Sequence, residues 1–209
     1  GPRRRLPAYA IRDSALASSG LLVSIIGGPS VRPYMPPGIW KSISNNTYKQ
    51  DKGDKLYRRS LYTYWRRTIP PPTMLAFNAS EREVCIVRKD QTITPLQALT
   101  LMNNITFVEA SRHLAERTMK QDELGTMEEL ITYAFKAVLG RSPSPIEISL
   151  LGEDFLHHEK IYLANPEAVS KLLKVGARPN DPKLSPATLA AYSMVVSTLF
   201  NLDEAITLN

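Results

Sequence analysis

One cysteine, Cys85, stands in the whole chain, which excludes an internal disulfide and any metal site built from several thiolates. No Cys-x-x-Cys-His occurs, so the chain offers no attachment point for haem c. Histidine is almost as scarce. His157 and His158 are adjacent and point apart on a helix, and His113 has only Glu109 at four-residue spacing, a pairing common by chance. No metal site is read from them. No glycine-rich phosphate loop is present, and Gly27-Gly28-Pro29 reads as a helix stop. No nucleophile elbow is visible. The apolar stretch around residues 21–26, broken by Ser24, falls far short of the roughly 20 residues that span a bilayer. The basic opening Gly1-Pro2-Arg3-Arg4-Arg5 is not followed by the long apolar stretch of a signal peptide.

What is present is a globular composition, 43% hydrophobic and 22% charged, with a lopsided charge. Residues 1–90 hold 16 basic and 6 acidic residues, a net of +10; residues 91–209 hold 10 and 14, a net of −4. A basic half attracts anions, acidic glycans or an acidic neighbouring domain, or it pairs with the acidic half.

Proline placement gives the clearest structural signal. A capping residue followed by proline recurs at Thr94-Pro95, Ser144-Pro145, Asn165-Pro166 and Ser185-Pro186. Capping boxes read at Thr94 to Gln97, Ser144 to Glu147 and Thr126 to Glu129. Helices are expected over 95–119 with a break near Asn103-Asn104, then 127–139, 145–162, 166–175 and 186–201. Leu130, Ile131, Ala134, Phe135, Val138 and Leu139 form one stripe at helical spacing; Leu189, Tyr192, Val196, Leu199 and Phe200 form another. An earlier helix opens at Leu6-Pro7 and is expected to run to about Ile26. No run alternates with strand periodicity between hairpin turns. The fold class is mainly α, an irregular helical bundle with a proline-rich extended segment, in one domain over 1–209. Residues 29–37 read as extended and 44–55 as a flexible loop.

The segment "RRTIPPPTMLAFNASEREVC", residues 66–85, joins three prolines to a tight set of charges. Pro70, Pro71 and Pro72 are expected to form a polyproline strut, with Met74, Leu75 and Phe77 docking behind it. Upstream, residues 58–67 alternate basic and aromatic residues; helical geometry would put Leu61 and Trp65 on one face. Arg58, Arg59, Trp65, Arg66 and Arg67 are the candidates for binding an anion or a glycan, by guanidinium forks and aromatic faces. The bland alternative is that the arginines tie loops together. Glu81, Arg82, Glu83 and Arg88 read as a structural charge cluster. Cys85 is expected to be buried and inert, as free cysteines usually are.

Residues 57–117, "YRRSLYTYWRRTIPPPTMLAFNASEREVCIVRKDQTITPLQALTLMNNITFVEASRHLAER", closely resemble the C-terminal domain of unknown function of planctomycete exported proteins that carry a cytochrome-c-like domain. "GPRRRLPAYAIRDSALASSGLL", "GGPSVRPYMPPGIW", "LGRSPSPIEI" and "NLDEAIT" extend the resemblance over most of the chain. It implies that the chain is the C-terminal part of an exported, multidomain bacterial protein, with haem c and a second domain upstream. The family pattern favours an acidic residue where this chain has Asn78, asparagine at Ile93 and aspartate at Asn104.

The resemblance brings no catalytic residues with it. The reading is a non-catalytic helical module that docks on its upstream domains. Export argues against nucleic acid as a partner. The alternative is part of an enzyme or binding site for acidic or sulfated polysaccharide, with Glu81, Glu83 and Asp203 as the acids to consider first.

Overall fold

The computed structural model describes residues 4–43, 47–80, 85 and 92–208. Among them are α1 (Ala8–Ser19), α2 (Ile39–Ile43), α3 (Pro72–Ala76), α4 (Pro95–Asn103) and α5 (Ile105–Met119). The later helices are α6 (Met127–Leu139), α7 (Pro145–Ala164), α8 (Pro166–Leu173) and α9 (Pro186–Asn201). One two-stranded antiparallel sheet pairs β1 (Arg4–Arg5) with β2 (Thr207–Leu208), Arg4 opposite Leu208. The mainly α expectation holds.

Helix α9 forms the centre. It packs against α4, α5, α6, α7 and α8, and buries Leu189, Tyr192, Val196, Leu199 and Phe200. Small residues, Ala190, Ala191, Ser193 and Ser197 on α9 with Ala110, Ser111 and Ala115 on α5, are buried as well. They let these two helices approach closely. The α6 stripe also turns inward: Ile131, Ala134 and Phe135 are buried, and Leu130, Val138 and Leu139 pack against the core. Removing a side chain such as Phe135 from this core would cost about 3–5 kcal/mol.

The helix starts follow local chemistry. The boxes at Thr126/Glu129 and Ser144/Glu147 both form, and Asn165 accepts from the Ala168 N–H. Between α4 and α5, Asn104 adopts extended backbone and its side chain caps Thr106, which produces the expected break. Thr94 differs: its side chain makes no cap hydrogen bond, and Pro95 alone sets the entry angle of α4. Ser144→Ala should therefore lower stability by about 1 kcal/mol, and Thr94→Ala by a few tenths. Equal losses in urea unfolding would show that the two caps act alike.

Three expectations need correction. Helix α1 stops at Gly20, in the left-handed region at φ 80, and not near Ile26. The following residues run extended, and the Val23 N–H donates to the Tyr57 carbonyl. The proline strut is shorter than three residues, because Pro72 starts α3. Pro70 and Pro71 deliver the chain, and Met74 and Phe77 are buried, Phe77 meeting Phe107 edge-on at 6.4 Å between ring centres. Residues 58–67 are not α-helical. A 3-10 turn spans Ser60–Tyr62, and Val31 bridges Thr63 in parallel register. Leu61 is 77% exposed while Trp65 packs on the core, so the two share no face. A 3-10 turn, Gly53–Tyr57, follows from the end of the 44–55 segment, and Leu56 and Tyr57 just beyond that segment are buried.

Candidate functional site

The five candidates for anion binding are put to different uses. Arg58 is buried, and its guanidinium donates to the carbonyls of Ile25, Gly27 and Pro29 while lying 3.8 Å from the centre of the Tyr62 ring. That is the loop-tying role: three carbonyls with no partner in a regular element converge on one planar fork. Trp65 is half-buried against the core. Arg66 lies over the Trp40 ring at 5.2 Å, and Arg32 lies over Tyr64 at 4.7 Å. Tyr48 and Tyr64 both adjoin Trp40, with ring centres 5.4 and 6.2 Å away. Arg59 and Arg67 are exposed.

Glu81, Arg82, Glu83 and Arg88 lie outside the described residues. Cys85 is exposed, which corrects the expectation of a buried thiol. Asp203 sits 3.8 Å from the Arg5 guanidinium, tying the turn before β2 to β1. Asn78 takes φ 59 directly after α3, a left-handed stop that asparagine tolerates, and its Oδ1 accepts from Thr92 and Gln97.

The histidines do structural work. His113 Nδ1 is 2.9 Å from the Ser19 carbonyl, so it carries the proton and ties α5 to the end of α1. His158 Nε2 lies 3.3 Å from Asp154 one turn earlier.

The strongest polar constellation was not singled out from sequence. Along α5 and its C-cap, Glu109, Arg112, Glu116 and Lys120 follow at spacings of three and four, with alternating sign. Such a row reads as a solvent-facing, ion-paired stripe. Instead Glu109 and Arg112 are fully buried and Glu116 nearly so. Glu109 Oε1 accepts from Tyr57 Oη at 2.9 Å and from the N–H groups of Ala177 and Arg178 at 2.8 Å each. Its Oε2 accepts from Tyr34 Oη at 2.8 Å. Arg112 lies 3.9 Å from both Glu109 and Glu116 and donates to the Arg178 carbonyl. Lys120 closes the row, 2.6 Å from Glu116 and 2.8 Å from Asp181.

Burial pushes the Tyr34 hydroxyl up to about 12 and the Tyr57 hydroxyl higher still, with the Glu109 carboxylate adding to both shifts. Both phenols therefore stay protonated donors at neutral pH. With four donors on Glu109, this cluster is a clamp joining α5, the N-terminal layer and the 176–178 turn. Three of the four donors converge on Oε1 and one on Oε2.

A second charge cluster is exposed. Arg141 makes paired hydrogen bonds to both Glu147 and Glu204, at 2.7–3.0 Å. The Arg141 fork, helped by the Ser144 N–H, holds the Glu147 carboxyl down at about 2. It fastens the start of α7 to the turn after α9.

The outer surface of α7 is unusual in a different way. Leu151 and Phe155 are buried on one side, while Ile146, Leu150, Leu156 and Leu163 are exposed on others. Between α6 and α7 runs a groove of about 320 Å³, lined by Met127, Ile131, Ile148, Gly152, Phe155 and Leu156, with Glu128 at its edge. Gly152 opens the groove, since nothing lies within 4 Å of where its Cβ would stand.

The family model PSD1, described as a protein of unknown function (DUF1553), matches residues 1–154. The chain belongs to this family. No curated protein and no solved structure matches the chain. The matched segment ends inside α7, yet α9 beyond it fills the centre of the core. The packing unit is therefore larger than the segment the DUF1553 family model matches. The family brings a domain of unknown function and no site residues.

Proposed function

We propose that this chain is a non-catalytic helical module that docks on neighbouring domains of a longer, exported, haem-linked bacterial polypeptide. The observation that carries the reading is α7. Ile146, Leu150, Leu156, Ile161 and Leu163 stand exposed on α7 among Glu153, Asp154 and Lys160, while Leu151 and Phe155 are buried, so the helix shows more apolar surface than its packing covers. The groove beside it accepts an apolar segment, and Glu128 at its edge favours basic flanking residues on that segment. Export and the haem-bearing neighbour rest on the resemblance of residues 57–117 to planctomycete proteins with a cytochrome-c-like domain. The test compares the domain alone with the longer polypeptide. Docking predicts that hydrogen exchange along α7 slows in the longer polypeptide, and that Leu156→Glu, at an exposed position, restores the fast exchange. Equal exchange in both proteins would reject the reading.

Acidic polysaccharide is a second reading, favoured by one observation. Arg66 and Arg32 lie over a Trp40–Tyr64 aromatic pair, with Arg59 and Arg67 exposed on the same segment. Binding to a sulfated glycan that falls with salt, and weakens in Arg59→Glu/Arg67→Glu, supports it. No discrimination between sulfated and neutral glycans removes it.

A further inference from the structure

Residues 24–30, "SIIGGPS", form a loop in which every residue is exposed. It leaves the fold at Val23, which bridges Arg58, and returns at Val31, which bridges Thr63. Both ends are held on one segment, and the residues between them rise off it. Gly27 and Gly28, both at φ 81, reverse the chain. The Arg58 guanidinium fills the loop from inside: Nη2 donates to the carbonyls of Ile25 and Gly27, and Nη1 to that of Pro29. The Tyr62 ring lies against the same guanidinium, and its hydroxyl accepts from the Gly27 N–H at 2.7 Å. Two isoleucines are left outside, Ile25 at 62% exposure and Ile26 at 84%. Ile26 is the most exposed large apolar side chain among the described residues.

From this loop we infer that the chain binds the surface of an anionic lipid bilayer, with Ile25 and Ile26 entering the acyl boundary. Two observations select lipid. The first is the backbone. Hydrocarbon offers no partner to a peptide group, so a loop that enters it must satisfy its polar atoms internally. Here three carbonyls and one N–H of the loop turn inward, onto Arg58 and Tyr62. A protein pocket makes no such demand, because it supplies main-chain partners of its own.

The second observation is charge. The stretches that meet here, residues 14–50 and 55–80, hold eight Lys/Arg and no Asp or Glu. Arg59, which is exposed, stands beside Arg58 at the foot of the loop. The acids that the described residues bring to this layer are engaged. Glu109 is buried, Asp13 accepts from the Ser60 N–H, Asp51 accepts from the Arg32 N–H, and Asp54 pairs with Arg178. Apolar insertion and a cationic collar are the two signals that together hold a protein on a membrane, where either alone binds weakly. The inference does not rest on the α7 docking reading. It shares Arg59 with the glycan reading, and the isoleucines separate the two, because a glycan has no acyl chain for them to enter.

Cosedimentation of the 209-residue chain with vesicles tests it. Vesicles of equal parts phosphatidylglycerol and phosphatidylcholine should bind at least about tenfold more tightly than phosphatidylcholine alone, with an advantage that falls as salt rises. Ile25→Ser/Ile26→Ser should weaken binding to the anionic vesicles at least about tenfold, with a thermal melt that matches the parent. Ile26→Trp should keep binding. Against the baseline of Trp40 and Trp65 in the parent, its emission should shift blue on anionic vesicles and be quenched by bromine on the acyl chains. Adsorption through arginines alone cannot imitate that signal. No binding to anionic vesicles overturns the inference, including the case in which a protein partner covers the tip. So does equal binding to both vesicles, full binding by Ile25→Ser/Ile26→Ser, or an Ile26→Trp emission that does not move.

Discussion

Gly176→Ala should be among the most damaging single substitutions in this chain, at about 3–5 kcal/mol in urea unfolding. Two effects add. Gly176 sits at φ 93, where a side chain costs about 1–2 kcal/mol. A Cβ there would also overlap the Glu109 carboxyl carbon, so the turn has to move. Moving it withdraws the Ala177 and Arg178 N–H groups from a fully buried carboxylate. A charge left short of donors in the interior accounts for the larger part of the loss.

Gly140→Ala separates the two effects. Gly140 also has positive φ, at 73, but nothing lies within 4 Å of its added Cβ. It should cost only the 1–2 kcal/mol of backbone strain. Combining Gly176→Ala with Glu109→Ala should cost less than the sum of the two, since the atoms that clash are gone. If Gly176→Ala and Gly140→Ala lose the same stability, the turn is not clamping Glu109.

Arg12→Met should cost about 3–5 kcal/mol as well, for a different reason. Arg12 is buried on α1 and donates to the carbonyls of Leu56 and Arg58 at 2.8 and 2.9 Å, and to Ser60 Oγ at 3.1 Å. Burial lowers its guanidinium to about 10, against the pull of Asp13, so the charge is held at neutral pH. Asp13 in turn accepts from the Ser60 N–H at 2.8 Å. Methionine keeps much of the stem and removes every donor, leaving two buried carbonyls without partners. Lysine restores the charge without the planar fork, so Arg12→Lys should recover only part of the loss. Proteolysis should then cut within residues 47–69 before the helices. An unchanged midpoint in Arg12→Met would mean that packing of Leu56 and Tyr57, each 1% exposed, holds this layer unaided.

These two positions show where sequence reading stops. The α4/α5 break and the starts of α5–α8 were legible because each depends on residues within four of one another: Asn104 with Thr106, Thr126 with Glu129, Ser144 with Glu147, Asn165 with Ala168. The stop of α1 at Gly20 obeys the same local rule, but the apolar residues 21–26 disguised it by continuing a helical pattern. They are extended because Val23 finds Tyr57, 34 positions away. Arg58 was legible as a basic residue among aromatics, and nothing nearby in sequence says that three carbonyls of residues 25–29 would claim it.

Capping, proline and composition act over short range, so the helical class, most helix starts and the uncharged runs of α4 and α9 can be read from the residues alone. Tertiary structure alone decided which charges are interior. Glu109, Arg112 and Glu116 have the spacing of an exposed ion-paired stripe. Glu109 and Arg112 are buried because Tyr34, Tyr57 and the 176–178 turn bring the missing donors and acceptors from far along the chain, while Glu116 keeps its neighbour Lys120. A carboxylate withdraws from water only when such partners replace it, and those partners become visible only once the chain is folded.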